Sequence, residues 1–309
     1  MNDAAALPAG VTVLERGWLS SNNVVFTAGT TAVVDTGYGT HSGQTVALVR
    51  QALHGTSLDA IVNTHLHSDH CGGNAALQAV YPAARTLIPP GQSDAVARWD
   101  VDALTYETTG QHCPRFRFDA LLHPGASVVL GDGTWEIHAA PGHDPHSVLL
   151  FHAASGTLIS ADALWDNGFG IVFPELDGAS AFDEVAATLD LIESLRPRLV
   201  IPGHGSPFGG DEHVTAAIAR ARSRLASFVA SPARHASHAM KVLVKFKLLE
   251  WQSVPFDEFL AWAQGMPYLR RVHARFFADQ PLREWLERLT AELVKSRALG
   301  RDGAILYNM

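Results

Sequence analysis

Residues 63–74 read NTHLHSDHCGGN, which places His65, His67, Asp69 and His70 within six positions, directly after LDAIV. Imidazole and carboxylate groups are poor core residues, and each needs a polar partner once buried. Packing therefore gives no reason to gather four of them where a buried strand ends. A metal ion does, because these nitrogens and oxygens suit zinc and its first-row neighbours. Four such groups exceed what one tetrahedral ion takes from a short loop, which favours two ions sharing it.

The same kind of signal recurs. AAPGHDPHS sets His143 in a Gly/Pro loop after TWEIHAA. TLISADAL ends an apolar run on Asp162, and RLVIPGHGS ends one on His204 between two glycines. In layered α/β structures the ends of strands converge on ligand sites. Five histidines and two aspartates are thus expected to meet in one place.

The rest of the chain is consistent with such a layout. Short β-rich runs at residues 11–15, 22–28 and 30–37 precede a helical pattern at 43–53. GGNAALQAVYP reads as a short helix stopped by Pro82, and SDAVARWD as another. ASVVL, TWEIHAA, SVLLFHA and TLISADA return to β, and an amphipathic helix follows at 180–195, capped by Ser180. From Asp211 onward strand signals vanish and only helical patterns are read. The expected organisation is a catalytic domain over residues 1–210 and a helical cap region over 211–309.

The 309 residues are 47% hydrophobic, ample for a sizeable core. A net charge of −8 gives no attraction to phosphate backbones, so no nucleic-acid partner is expected. Two cysteines, Cys71 and Cys113, make no disulfide framework. The start, MNDAAALPAG, is not read as a secretory signal, and no stretch is apolar enough to span a membrane. A cytoplasmic setting is the expectation, with no membrane partner.

The set THLHSDH, PGHDPHS, SAD and PGHG, with DTG at 35–37, resembles the metallo-β-lactamase superfamily of hydrolases over roughly residues 11–208. The resemblance implies a four-layered αββα sandwich with the metal site at one edge and a C-terminal helical extension. It implies that His65, His67 and His143 hold one ion, that Asp69, His70 and His204 hold a second, and that Asp162 bridges them. Asp35 is then a support for the loop. Two divalent ions are implied, zinc by default, with iron or manganese accepting the same ligands.

Two cations sharing a water lower its pKa enough to make hydroxide near neutral pH, and they polarise the carbonyl it attacks. Asp69 is the expected catalytic residue, orienting that hydroxide. The expected substrate is a small ester, thioester or lactone. The C-terminal helices resemble, in position only, the caps of hydroxyacylglutathione hydrolases and quinolone-signal thioesterases. About 100 residues after His204 argue against a plain β-lactamase. A phosphodiesterase on the same core, and a regulatory or interaction protein retaining a metal site, stand as rivals to the hydrolase. A homodimer through the cap helices is a further expectation. Trp165, Phe169 and Phe173 are candidate walls for the substrate, and His146 a candidate contact, with a loop-structural role weighed against it. Lys241, Lys245 and Lys247 read as a solvated helix face, Cys113 as a surface residue, and His235 with His238 as too few for a metal site.

Overall fold

A computed structural model describes residues 6–309. The start of the chain, read above as no secretory signal, lies in part outside them. Six strands form one sheet in chain order: β1 (Val11–Leu14), β2 (Asn23–Phe26), β3 (Ala32–Val34), β4 (Ala60–Val62), β5 (Arg85–Ile88) and β6 (Ala120–Leu121). The first three pair antiparallel and β3 to β6 run parallel. A second six-stranded sheet holds β7 (Ser127–Leu130), β8 (Gly133–Ala139), β9 (Val148–His152), β10 (Thr157–Ala161), β11 (Leu199–Pro202) and β12 (Phe208–Gly209). Only β10 and β11 pair parallel in it.

The inner strands are apolar at successive residues because both of their faces are covered. In β2, Val24 and Phe26 face the second sheet and pack with Trp135, Ile137 and Ile201. Val25 between them faces outward, with Val33, Ile61, Val49, Leu53 and Leu77. That outer layer is α1 (Ser42–Leu53) and α3 (Asn74–Val80), which follows the four-residue α2 (Ser68–Cys71). A side cluster joins α4 (Ser93–Arg98) to Leu66, Tyr106 and Phe116. On the other side Leu149, Leu158 and Val200 meet α6 (Phe182–Leu195), which is preceded by the short α5 (Phe173–Asp177). The result is the four-layered αββα sandwich with further helices at its C-terminal side.

Three features differ from the sequence reading. First, α7 (Asp211–Ala230) packs Val214, Ala217, Ile218 and Ala221 into the cluster of α6 and the second sheet. By packing, the separate helical core starts only with α8 (Pro232–Trp251). It continues through α9 (Phe256–Gly265), α10 (Pro267–Phe276) and α11 (Leu282–Lys295), around Met240, Phe259, Leu269 and Trp285. Second, strands do occur after residue 211: β13 (Ser253–Pro255), β14 (Leu299–Asp302) and β15 (Ile305–Asn308) make a three-stranded sheet. Third, Ser180 does not cap α6. The carboxylate of Glu175 accepts from Ala181 N at 2.6 Å and Phe182 N at 2.7 Å. Among the described residues no helix is long and apolar enough to cross a membrane.

Candidate metal centre

The loop after β4 is pinned before its histidines begin. Asn63 donates to His70 O, and Asp35 accepts from Thr64 N at 2.9 Å and from Thr64 Oγ1 at 2.8 Å. Asp35 sits at φ +58°, a left-handed conformation that costs a non-glycine residue about 1 kcal/mol and is held by these bonds. Ala161, before Asp162, is at φ +47°, where the β10–β11 register shifts. That irregularity turns Asp162 off the strand and toward the loop.

The seven side chains converge. His65 Nε2 lies 3.1 Å from His67 Nδ1, which lies 2.8 Å from His143 Nε2. The ligand atoms of His65, His67 and His143 fall within 4.8 Å of one another, and so do those of Asp69, His70 and His204. Asp162 spans the two trios. Its Oδ2 is 3.4 Å from His143 Nε2, while Oδ1 is 3.5 Å from His70 Nε2 and 3.9 Å from His204 Nε2.

The far side of each ring fixes which nitrogen carries the proton. The carbonyl of Ile171 can only accept, so His143 Nδ1 donates to it at 2.6 Å and Nε2 keeps its lone pair. His70 Nδ1 donates to Asp35 Oδ2 at 2.7 Å in the same way. Thr64 Oγ1 stands 3.2 Å from His65 Nδ1, and Asp144 Oδ2 stands 3.7 Å from His67 Nε2. His204 stacks under the Trp18 ring, with centroids 5.5 Å apart and planes 9° off parallel.

The donor set fits divalent ions. His70 Nε2 is buried with no hydrogen-bond partner and faces two carboxylates. Burial pushes His67 and His143 down to about 4, so both rings are neutral and able to ligate at ordinary pH. Burial opposes ionisation of Asp162, yet His70 and His204 beside it hold it well below the usual carboxylate range. Asp69 is lowered against its own burial by the same two residues. Neutral His67 and His143 beside ionised carboxylates favour a cation, whose binding would displace the proton that Asp162, Asp35 and Asp69 hold on His70. Glycine is required beside it: a Cβ on Gly203 would lie 2.2 Å from Asp162 Oδ1, and one on Gly170 2.4 Å from His143 Nδ1.

Above the cluster opens a cavity of about 310 Å³. Phe173 lines it, its ring 5.2 Å from that of His67 and 5.8 Å from that of His143. Trp165 also lines it and donates Nε1–H to Asp162 Oδ1 at 3.2 Å, so it holds the spanning carboxylate as well. His146 lies exposed at the rim, its ring against Gly91 and its N–H on Asp144 Oδ1 at 2.7 Å.

Phe169 is a correction. It is 3% exposed and packs against Phe228 in the core beneath α6 and α7, because the Gly168 turn directs it away from the cavity. Cys113 is a second one. It is buried, with its sulfur 3.7 Å from that of Cys71. The three lysines are tied down rather than solvated: Lys241 pairs with Glu292, Lys245 binds Ala298 O, and Lys247 pairs with Glu250. His235 accepts from Val172 N at 3.3 Å and holds no metal group.

Sequence reasoning missed Trp18, Asp144 and Tyr268. Asp144 stood inside PGHDPHS, and its place between two histidines was the available signal. Trp18 and Tyr268 reach the site from distant segments and carry no local signal.

The family model described as the metallo-beta-lactamase superfamily matches residues 16–204. A hydroxyacylglutathione hydrolase of Synechococcus sp. (strain JA-3-3Ab) is 33% identical over 38% of this chain and 40% of its own length. The acyl-coenzyme A thioesterase MBLAC2 of Gallus gallus is 28% identical over 48% of this chain and 57% of its own. The chain thus spans about two fifths of the length of the first of these relatives. Among solved structures, a beta-lactamase domain protein from Burkholderia ambifaria aligns with TM-score 0.61 at 20% identity, covering 99% of this chain and 94% of that one. A metallo-beta-lactamase family protein from Thermus thermophilus aligns with TM-score 0.57 at 18% identity, covering 98% and 100%. These two likenesses establish the fold, and the family match covers more than half of the sequence. The chain belongs to the metallo-beta-lactamase superfamily.

Proposed function

We propose that the chain is a hydrolase that uses two divalent ions, zinc by default, to cleave a small ester, thioester or lactone. The observation that carries this reading is two ligand trios joined across one carboxylate, Asp162, at the floor of a largely apolar cavity. Bound divalent ions would activate water and polarise a carbonyl oxygen. Around them, this chain supplies orientation. Asp69, with Oδ2 3.2 Å from His204 Nε2, keeps an ionised oxygen at the cavity floor to accept a hydrogen bond from the attacking water. Trp165 and Asp35 fix the rotamers of Asp162 and His70. Phe173 and the residues of α8 and α10 exclude bulk water above them. Relatives named for thioester cleavage support that bond over the others.

The test combines metal analysis with a panel of acyl-thioester, lactone, aryl-ester, β-lactam and phosphodiester substrates under defined metals. Close to two ions per chain and cleavage confined to carbonyl substrates are expected. Fewer than one ion per chain under metal-replete conditions, or a fully loaded protein that cleaves nothing, overturns the proposal.

A further inference from the structure

The cavity's lining divides into two kinds of surface. Its floor is the ligand cluster, and its walls are mostly apolar, including Ile171, Phe173, Leu243 and Phe246, with the uncharged polar Gln92, Thr105, Thr109 and Gln111 among them. Among the described residues no lysine or arginine lines it. Its charged groups other than the ligand candidates are Asp144 and Asp177, with His146 at the rim. The basic group beside it, Arg271, lies over the Tyr268 ring at 5.1 Å and faces Asp177 at 3.5 Å from the solvent side. Ions at the floor would attract an anion there, but beside Tyr268, where Asp177 stands, a carboxylate or phosphate would lose water and meet negative charge in return.

Tyr268 adds a second observation. It lines the cavity and is 3% exposed, and its hydroxyl is buried with no hydrogen-bond partner. Buried phenols normally find a partner, and one left without pays a desolvation penalty. The ring is fixed by Phe173, with centroids 6.0 Å apart, and the main chain by a bond from Tyr268 N to Thr108 O. Burial and the Asp177 carboxylate push the phenol pKa up, so it stays protonated and able to donate.

We propose that the pocket accepts an uncharged acyl group bearing a hydrogen-bond acceptor, that Tyr268 donates to this acceptor, and that acyl groups carrying an anion are rejected. The inference rests on the hydrolase reading only in calling the occupant an acyl group.

Binding tests it apart from turnover. Non-hydrolysable amides with a five-carbon acyl arm are compared by calorimetry on the metal-loaded protein. The arm is plain, oxo-substituted at each carbon in turn, or carboxylate-terminated. The expected order is best oxo arm, then plain arm, then carboxylate arm, with roughly five- to tenfold between the first two. Tyr268→Phe keeps the ring and removes the donor, so within that variant the oxo arms should bind no better than the plain arm. The matching substrates, on whichever leaving group reacts best, should repeat the pattern in kcat/KM.

A carboxylate arm that binds as well as the plain one overturns the charge claim. An oxo preference that survives in Tyr268→Phe, or is missing from the wild type, overturns the role of Tyr268, and no binding of any arm overturns both. Expected binding without turnover would leave this inference standing while sinking the hydrolase reading.

Discussion

The two sides of the cavity are built on opposite principles. The floor is polar and cross-braced: His65, His67, His70 and His143 each have a group on the far side of the ring. The roof is mostly apolar and braced mainly by packing: Leu243 belongs to the core of the C-terminal helices, and Phe246 meets Tyr38 edge-on at 5.1 Å. On the proposed reading, the floor would set what bond can be attacked and the roof what is held there. A chain can change its roof without disturbing its floor, which explains why the core motifs identify a superfamily and leave the substrate open.

Mutations at the two sides should separate cleanly. His67→Ala, in the floor, should lower kcat on the order of a thousandfold or more and reduce metal content. His146→Ala at the rim should preserve both, and equal losses in the two variants would erase the distinction. Gly203→Ala should cost about a hundredfold in kcat, because the new methyl displaces Asp162 while leaving every ligand in the sequence. Retention of full activity would show that Asp162 tolerates another position. Leu243→Ala, in the roof, should raise KM about tenfold with metal content unchanged, and loss of metal instead would tie roof to floor.

The smallest effect concerns pH. Burial lowers His235 and His238 to about 4. Folding therefore excludes protons that the unfolded chain binds near its ordinary value of 6.5, and stability falls as pH drops through the interval between. The Tm of the wild type should decline by several degrees from pH 7 to pH 5, and His235→Gln should decline less. Parallel melting curves would remove His235 from the account.

The floor was legible in the sequence because its residues stand at strand ends in short motifs. NTHLHSDH, PGHDPHS, SADA and PGHG each announce themselves locally, and the strand–loop rhythm puts them at one edge. The roof was not legible. Tyr268 begins α10 after a proline, and nothing local distinguishes it from a packed helical tyrosine. Phe169 and Phe173 are four apart in one aromatic stretch, and only the turn at Gly168 and the start of α5 send them to different places. The strands β14 and β15 were hidden for a related reason. Asp302-Gly303, which leads into their Gly303-Ala304 turn, is a hairpin signal, but the strands are only four residues long and the short sheet finds its cover in α8, α9 and α11.

The origin of the seven ligand candidates has a mechanical consequence. His65, His67, Asp69 and His70 follow β4 of the first sheet, whereas His143, Asp162 and His204 follow β8, β10 and β11 of the second. Ions held among them would rivet two leaves of the protein along an edge otherwise joined by apolar packing and a few main-chain bonds, such as Val148 N to Thr64 O. Such a rivet favours the folded chain by mass action. Chelation should therefore loosen that seam first, and protease sensitivity or hydrogen exchange would register there before the outer helices yield.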